Sequence, residues 1–188
     1  MGSCKKIKYM FPKAHAAAYV TNAFRIAWFK VHIPLAYYAA YFSIRAKAFD
    51  AQYMIFGKEK VKNKMKEIEI KNQKKEATKT ELDMYDDLEI VLEMYERGFE
   101  FLPIDIYKSD SSKFIIEDNK LRPPLNTIPG FGTVAAQGIV RAREEGGKFM
   151  SIDELKIRAK IGNSGADLLK QFGCLEGMSQ SNQLSLFG

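Results

Sequence analysis

Apolar residues recur at helical spacing through most of the 188 residues, and proline and glycine interrupt them at intervals. This pattern predicts a mainly α chain with one small β element. Two features sharpen the prediction. Glycine-containing turns lead into helices after Ile128 and after Ile161, and the chain closes on a small, polar segment carrying an apolar pentapeptide. Four stretches follow: 1–57, two aromatic-rich helices; 58–98, a charged surface helix and an amphipathic helix; 99–176, a β element and two helix pairs; and 177–188, a flexible tail.

Ala14 to Phe29, with Tyr19, Phe24, Ile26 and Trp28, reads as a helix of mostly buried character. Pro34 forces a new start, since proline fits the first turn of a helix and not its interior. Lys30 to Ile33 is then the joint, and Leu35 to Phe49 a second helix. Lys58 to Lys79 holds nine lysines and four glutamates around the stripe Val61, Met65 and Ile68. A solvated helix face is the first reading of that run; a track for phosphates is the second.

Thr80 with Asp83 reads as a capping box, Gly98 as a stop, and Leu82, Tyr85, Leu88, Leu92 and Tyr95 as the apolar face between them. Asp86 and Asp87 sit there among solvated acids, poorly placed for a metal cage. Phe99 to Tyr107 predicts a strand, and Lys113 to Leu121 a small hairpin turning at Asp118-Asn119. Pro123-Pro124 closes that unit.

Charge is segregated: residues 1–79 hold 17 Lys/Arg against 5 Asp/Glu, residues 80–119 hold 3 against 12, and the remainder 9 against 6. The first segment therefore suits a polyanion, while the middle is used differently. Cys4 and Cys174 form neither a CxxC pair nor a metal cluster, so no metal site is expected and a reducing cytoplasm fits. The apolar stretch Val31 to Ile44 is short for a membrane span and contains Pro34. Met1-Gly2-Ser3 reads as a leader without targeting information.

In Ile128-Pro129-Gly130-Phe131-Gly132-Thr133, the glycines permit a tight turn at the start of a helix over Val134 to Arg143. Backbone N–H groups gathered there hold an anion, aided by the helix dipole and by Arg141 and Arg143. The alternative is a plain connector, in which the glycines serve only the turn. A second pair follows: a helix from Ser151 to Ala159, capped by Ser151 with Glu154, then a turn at Gly162 and a helix from Ala166 to Phe172. The Ile128 to Arg143 segment resembles a helix-hairpin-helix motif, whose family grips the DNA backbone without reading sequence, and this pair is its second half. With one glycine at its tip, the second turn can serve mainly to brace the first.

Gln183-Leu184-Ser185-Leu186-Phe187 presents apolar anchors on a tether, a form suited to insertion in a partner's groove. Folding back onto the chain is the other reading. The string resembles the bacterial sliding-clamp-binding motif, which implies a polar subsite for Gln183 and an apolar one for Leu184, Leu186 and Phe187. Phe11-Pro12-Lys13-Ala14-His15-Ala16-Ala17-Ala18-Tyr19 is similar to a signature in the fingers of bacterial replicative polymerase alpha subunits. With the Ile-Pro-Gly-Phe-Gly turn and the tail, residues 4–187 resemble the C-terminal part of the PolC-type DNA polymerase III alpha family.

That resemblance implies a helical fingers portion, a tandem helix-hairpin-helix domain and a clamp-binding tail. Its implied partners are duplex DNA, the sliding clamp and the remainder of the polymerase. It places Lys13 and His15 near the incoming nucleotide in an intact enzyme, Lys13 against phosphate charge. The family's palm aspartates and the Mg²⁺ they hold lie N-terminal to such a segment, and this sequence has no Asp-x-Asp pair, so a fragment without catalytic residues or cofactor is expected. The competing reading is a small helix-hairpin-helix glycosylase or nuclease, with Asp153 and Asp167 as candidate acids by position alone.

Overall fold

The computed structural model describes residues 13–181; the Gln183–Phe187 pentapeptide and Cys4 lie outside the described residues. The fold is mainly α with a small β element: α1 (Lys13–His32), α2 (Pro34–Ile44), α3 (Ala51–Met54), α4 (Lys58–Gln73), α5 (Lys79–Glu96), β1 (Ile115–Glu117), β2 (Lys120–Arg122), α6 (Thr133–Gly146), α7 (Ile152–Ala159) and α8 (Asn163–Gln171).

α1 forms where expected, but none of its residues is buried, and Phe24 and Trp28 are 73% and 52% exposed. The expectation of a buried helix fails because its apolar side chains surround the whole helix, while among the described residues α2 is its main packing partner and α5 reaches it at Lys30. The joint is shorter than expected, a single residue at Ile33, and Pro34 stands in the first turn of α2. α2 ends at Ile44 rather than Phe49; the chain then turns, and Asp50 caps the short α3 by accepting from the Gln52 N–H.

α4 packs against α5, burying Val61 and Ile68 from the expected stripe. The capping box of α5 lies two residues before the expected Thr80–Asp83 pair. Thr78 Oγ1 accepts from the Glu81 N–H at 3.2 Å while Glu81 Oε2 accepts from the Thr78 N–H at 2.9 Å. Glutamate has the reach to close the reciprocal bond. The buried face of α5 is Asp87, Leu88, Val91 and Met94, rotated from the expected stripe, and Leu82 is 41% exposed.

Asp87 corrects the reading of a solvated acid: the residue is 2% exposed. Its Oδ2 accepts from the backbone N–H groups of Lys47 and Ala48 at 3.0 and 2.8 Å, and Oδ1 from Tyr41. The carboxylate thus satisfies the chain where it leaves α2. Burial pushes its pKa up, and the three donors offset this only in part.

Phe99 to Tyr107 is not a strand; Phe101 makes one isolated parallel bridge to Leu121. Proline at 103 and the turn around Asp105 interrupt any ladder. The hairpin does form, with Ile115 opposite Arg122 and with Asp118 and Asn119 both at positive φ, as a two-residue turn requires.

Two cores draw on the first three stretches. One joins Tyr38, Phe42, Met54, Val61, Leu88 and Phe101 to Leu121 of the hairpin. The other gathers Ile104, Ile106 and Leu125 with Ile139, Leu155 and Leu169, and takes Ala51 from α3. Replacing Asp87 by Ala removes the acceptor of two part-buried N–H groups and should cost about 1–2 kcal/mol in chemical denaturation. Asp87→Asn keeps an acceptor and should cost less. Because the folded carboxyl binds its proton more tightly than the unfolded one, its contribution falls as pH rises through the raised pKa; Asp87→Asn should flatten that slope.

Candidate nucleic-acid interface

Leu125–Thr127 form a short 3₁₀ turn, and the Phe131 N–H returns to the Ile128 carbonyl at 2.9 Å. Gly130 takes φ +78°, which few other residues adopt without strain, and Gly132 stands at the N-cap of α6. Phe131 is 4% exposed and packs toward Gly165, so its side chain anchors the turn, while Thr133 is exposed.

The second turn repeats this geometry with one exchange. Lys160 takes φ +56°, Ile161 is buried, and Gly162 is the N-cap of α8. Lys160, Ile161 and Gly162 therefore stand where Gly130, Phe131 and Gly132 stand in the first. Lys160 escapes a search for glycine pairs; the spacing from a hydrophobic residue and glycine to a helix start is the signal that finds it.

α2 also starts without a side-chain cap or an acid, with Pro34 in its first turn, but the starts of α4, α5 and α7 differ from these two. α4, α5 and α7 carry Glu59, Glu81 and Asp153 with Glu154 in their first turns, and Thr78 and Ser151 cap α5 and α7 with their side chains. Neither α6 nor α8 has a side-chain cap or an acidic residue in its first turn. Their leading N–H groups and positive dipole ends are left for an external anion.

Both turns border one groove of about 430 Å³, which Arg141 and Ser164 also line. Close contact between α6 and α7 builds it. A Cβ on Gly138 would stand 2.3 Å from the Ala159 carbonyl oxygen, so only glycine admits this approach. Arg158 ties the same helices by donating to the carbonyls of Ala142 and Gly147, with its guanidinium 4.6 Å from the Phe149 ring centroid.

Arg141 is exposed in the groove, but Arg143 donates to the Ile106 carbonyl at 2.8 Å and is engaged with the loop before the hairpin. Lys13 and His15 lie on the exposed first turn of α1, with the His15 ring 4.4 Å from Tyr19. Asp153 is bound to Lys156 at 2.9 Å and accepts from Gln180, and its pKa is lowered chiefly by Lys156. Asp167 is exposed on α8. No helix among the described residues is long and apolar enough to cross a membrane.

Paired turns of this form on packed helices define a helix-hairpin-helix module, and residues 98–184 match that motif family. Over 185 residues, or 98% of the chain, it is 50% identical to a DNA polymerase III PolC-type of Caldanaerobacter subterraneus subsp. tengcongensis. Identity is 51% to the proteins of that name from Oceanobacillus iheyensis and Bacillus subtilis. The chain is homologous to a segment of the PolC-type DNA polymerase III family and spans 13% of the length of these relatives.

Lys160 holds a left-handed conformation that glycine adopts without the Cβ penalty. Lys160→Gly should therefore raise stability by up to ~1 kcal/mol, less the added entropy of the unfolded glycine, as read by thermal unfolding.

Proposed function

We propose that this chain is a non-catalytic segment of a replicative DNA polymerase. It holds duplex DNA by its backbone and tethers the enzyme to the sliding clamp. The observation that carries the DNA reading is the pair of uncapped, acid-free helix starts on one groove with Arg141 and Lys160. Phosphates satisfy those N–H groups irrespective of sequence, and the cations make binding salt-dependent.

The tail reading rests on Gln183-Leu184-Ser185-Leu186-Phe187 following a small, polar tether, so that clamp binding makes each return to DNA intramolecular. α1 fits the same reading. Its uncovered aromatic face belongs against the rest of the polymerase, of which this chain spans a small share, and that larger body would complete any nucleotide site at Lys13 and His15. Mg²⁺ and the polymerase chemistry belong to that larger body too.

Gly132 has a φ of −67° and open space at the Cβ position, so the fold accepts a side chain there. Gly132→Asp should cap α6, leaving stability unchanged or higher by a few tenths of a kcal/mol. The carboxylate would take the place of the phosphate and lower duplex affinity tenfold or more, by about 1.5 kcal/mol or above, in fluorescence anisotropy. Unchanged affinity in the folded variant would remove the hairpin from the interface. For the tail, calorimetric titration into the sliding clamp should give binding that disappears when the chain stops at Asn182. Equal binding by both forms would locate the clamp contact elsewhere.

A further inference from the structure

The lysine run of α4 resolves into paired and unpaired charges. Lys58 and Lys62 reach Glu96 at 3.1 and 3.4 Å, and Lys71 reaches Glu81 at 2.6 Å. Lys64 binds Glu67 at 2.9 Å, with its ammonium also 4.5 Å from the Tyr53 ring centroid. Lys60 is different. Like Lys66 it is exposed and makes no ion pair among the described residues, but it alone of the two stands over a ring, 4.6 Å from the centroid of Phe56.

Phe56 is 54% exposed, although its neighbours Met54 and Val61 are fully buried. It lies at the α3–α4 corner, with its ring 6.1 Å from that of Phe172. Around it is a recess of about 280 Å³ bordered by Lys60, Gln52, Gln171 and Pro129. Gln52 and Gln171 are exposed, offering amide donors and acceptors. Pro129 joins this recess directly to the Gly130 turn, and a Cβ on Gly130 would meet Leu168, another residue of the recess wall, at 3.6 Å.

We propose that this recess binds single-stranded nucleic acid continuing from the duplex held at the hairpins. The inference rests on the DNA-backbone reading above and adds a site for unpaired bases. An exposed ring, an unpaired ammonium and two side-chain amides are the chemistry that holds an unstacked base and its phosphate. Paired bases are stacked on one another and cannot offer a face to Phe56. The position of Pro129 commits the occupant: a strand emerging from the first hairpin passes this recess, and its charge complements Lys60.

The test is fluorescence anisotropy of the full chain with a blunt duplex, and with the same duplex carrying a short single-stranded extension at either the 3′ or the 5′ end. One extension should bind more tightly, and Phe56→Ala should lower that affinity about fivefold or more while leaving blunt-duplex affinity and thermal stability unchanged. Phe56→Tyr should retain the preference, and Lys60→Ala should weaken it and reduce its salt dependence. A wild-type chain that binds blunt duplex but gains nothing from either extension overturns the inference alone. So does a Phe56→Ala chain that loses blunt and extended duplex equally. Gly132→Asp separates the two readings. If it spares blunt-duplex binding, the hairpin reading fails whatever Phe56 does; if it removes that binding while Phe56→Ala leaves the extension preference intact, only the single-strand site fails.

Discussion

The groove between the two turns is built on one backbone contact, the approach of α6 to the carbonyl end of α7 at Gly138. A methyl group there would overlap the Ala159 carbonyl oxygen, and a carbonyl at a helix end cannot move without unravelling the turn behind it. This contact sets the distance between Gly130 and Lys160, and so the width of the groove between the turns. Arg158 secures it from the other end, donating to the Ala142 carbonyl near the end of α6 and to the Gly147 carbonyl just past it. Phe131, lodged toward Gly165, holds the first turn against α8. The polar groups of the groove are therefore held in place by packed residues of its own wall and by Arg158 outside it.

The two turns solve one problem with different residues. Gly130 adopts its left-handed conformation without a steric penalty and offers only backbone. Lys160 accepts that penalty and adds a cation at the equivalent place. The charges of α4 follow a similar division: Lys58, Lys62 and Lys71 tie α4 to α5 through Glu96 and Glu81, Lys64 pairs with Glu67 inside α4, and Lys60 stands over an exposed ring. Neither net charge nor a count of lysines separates these roles. Ion-pair geometry does.

Where the sequence reading departs from the structure, the missing information is non-local. Thr78 and Glu81 form the box that Thr80 and Asp83 were expected to form, a shift of two residues within a stretch where several polar side chains could serve as a cap. Phe99 to Tyr107 has strand-forming residues, but a strand needs a ladder, and only Leu121 offers a bridge. Asp87 looks like its neighbour Asp86 in the sequence; its burial follows from the chain leaving α2 with two N–H groups directed at it.

Residue order was enough for the short-range features: the break at Pro34, the hairpin at Asp118-Asn119, the Ser151 cap, and the glycine turn that opens α6. Each depends on the φ angles and hydrogen bonds of a few consecutive residues, and these are written in residue type. Tertiary structure alone decided which face of α5 is buried, which lysines are paired, that Arg143 serves the fold while Arg141 faces the groove, and that α1 remains uncovered. Those outcomes depend on what stands opposite a side chain. A residue's chemistry states what it can bind, and only the packed chain states what is within reach.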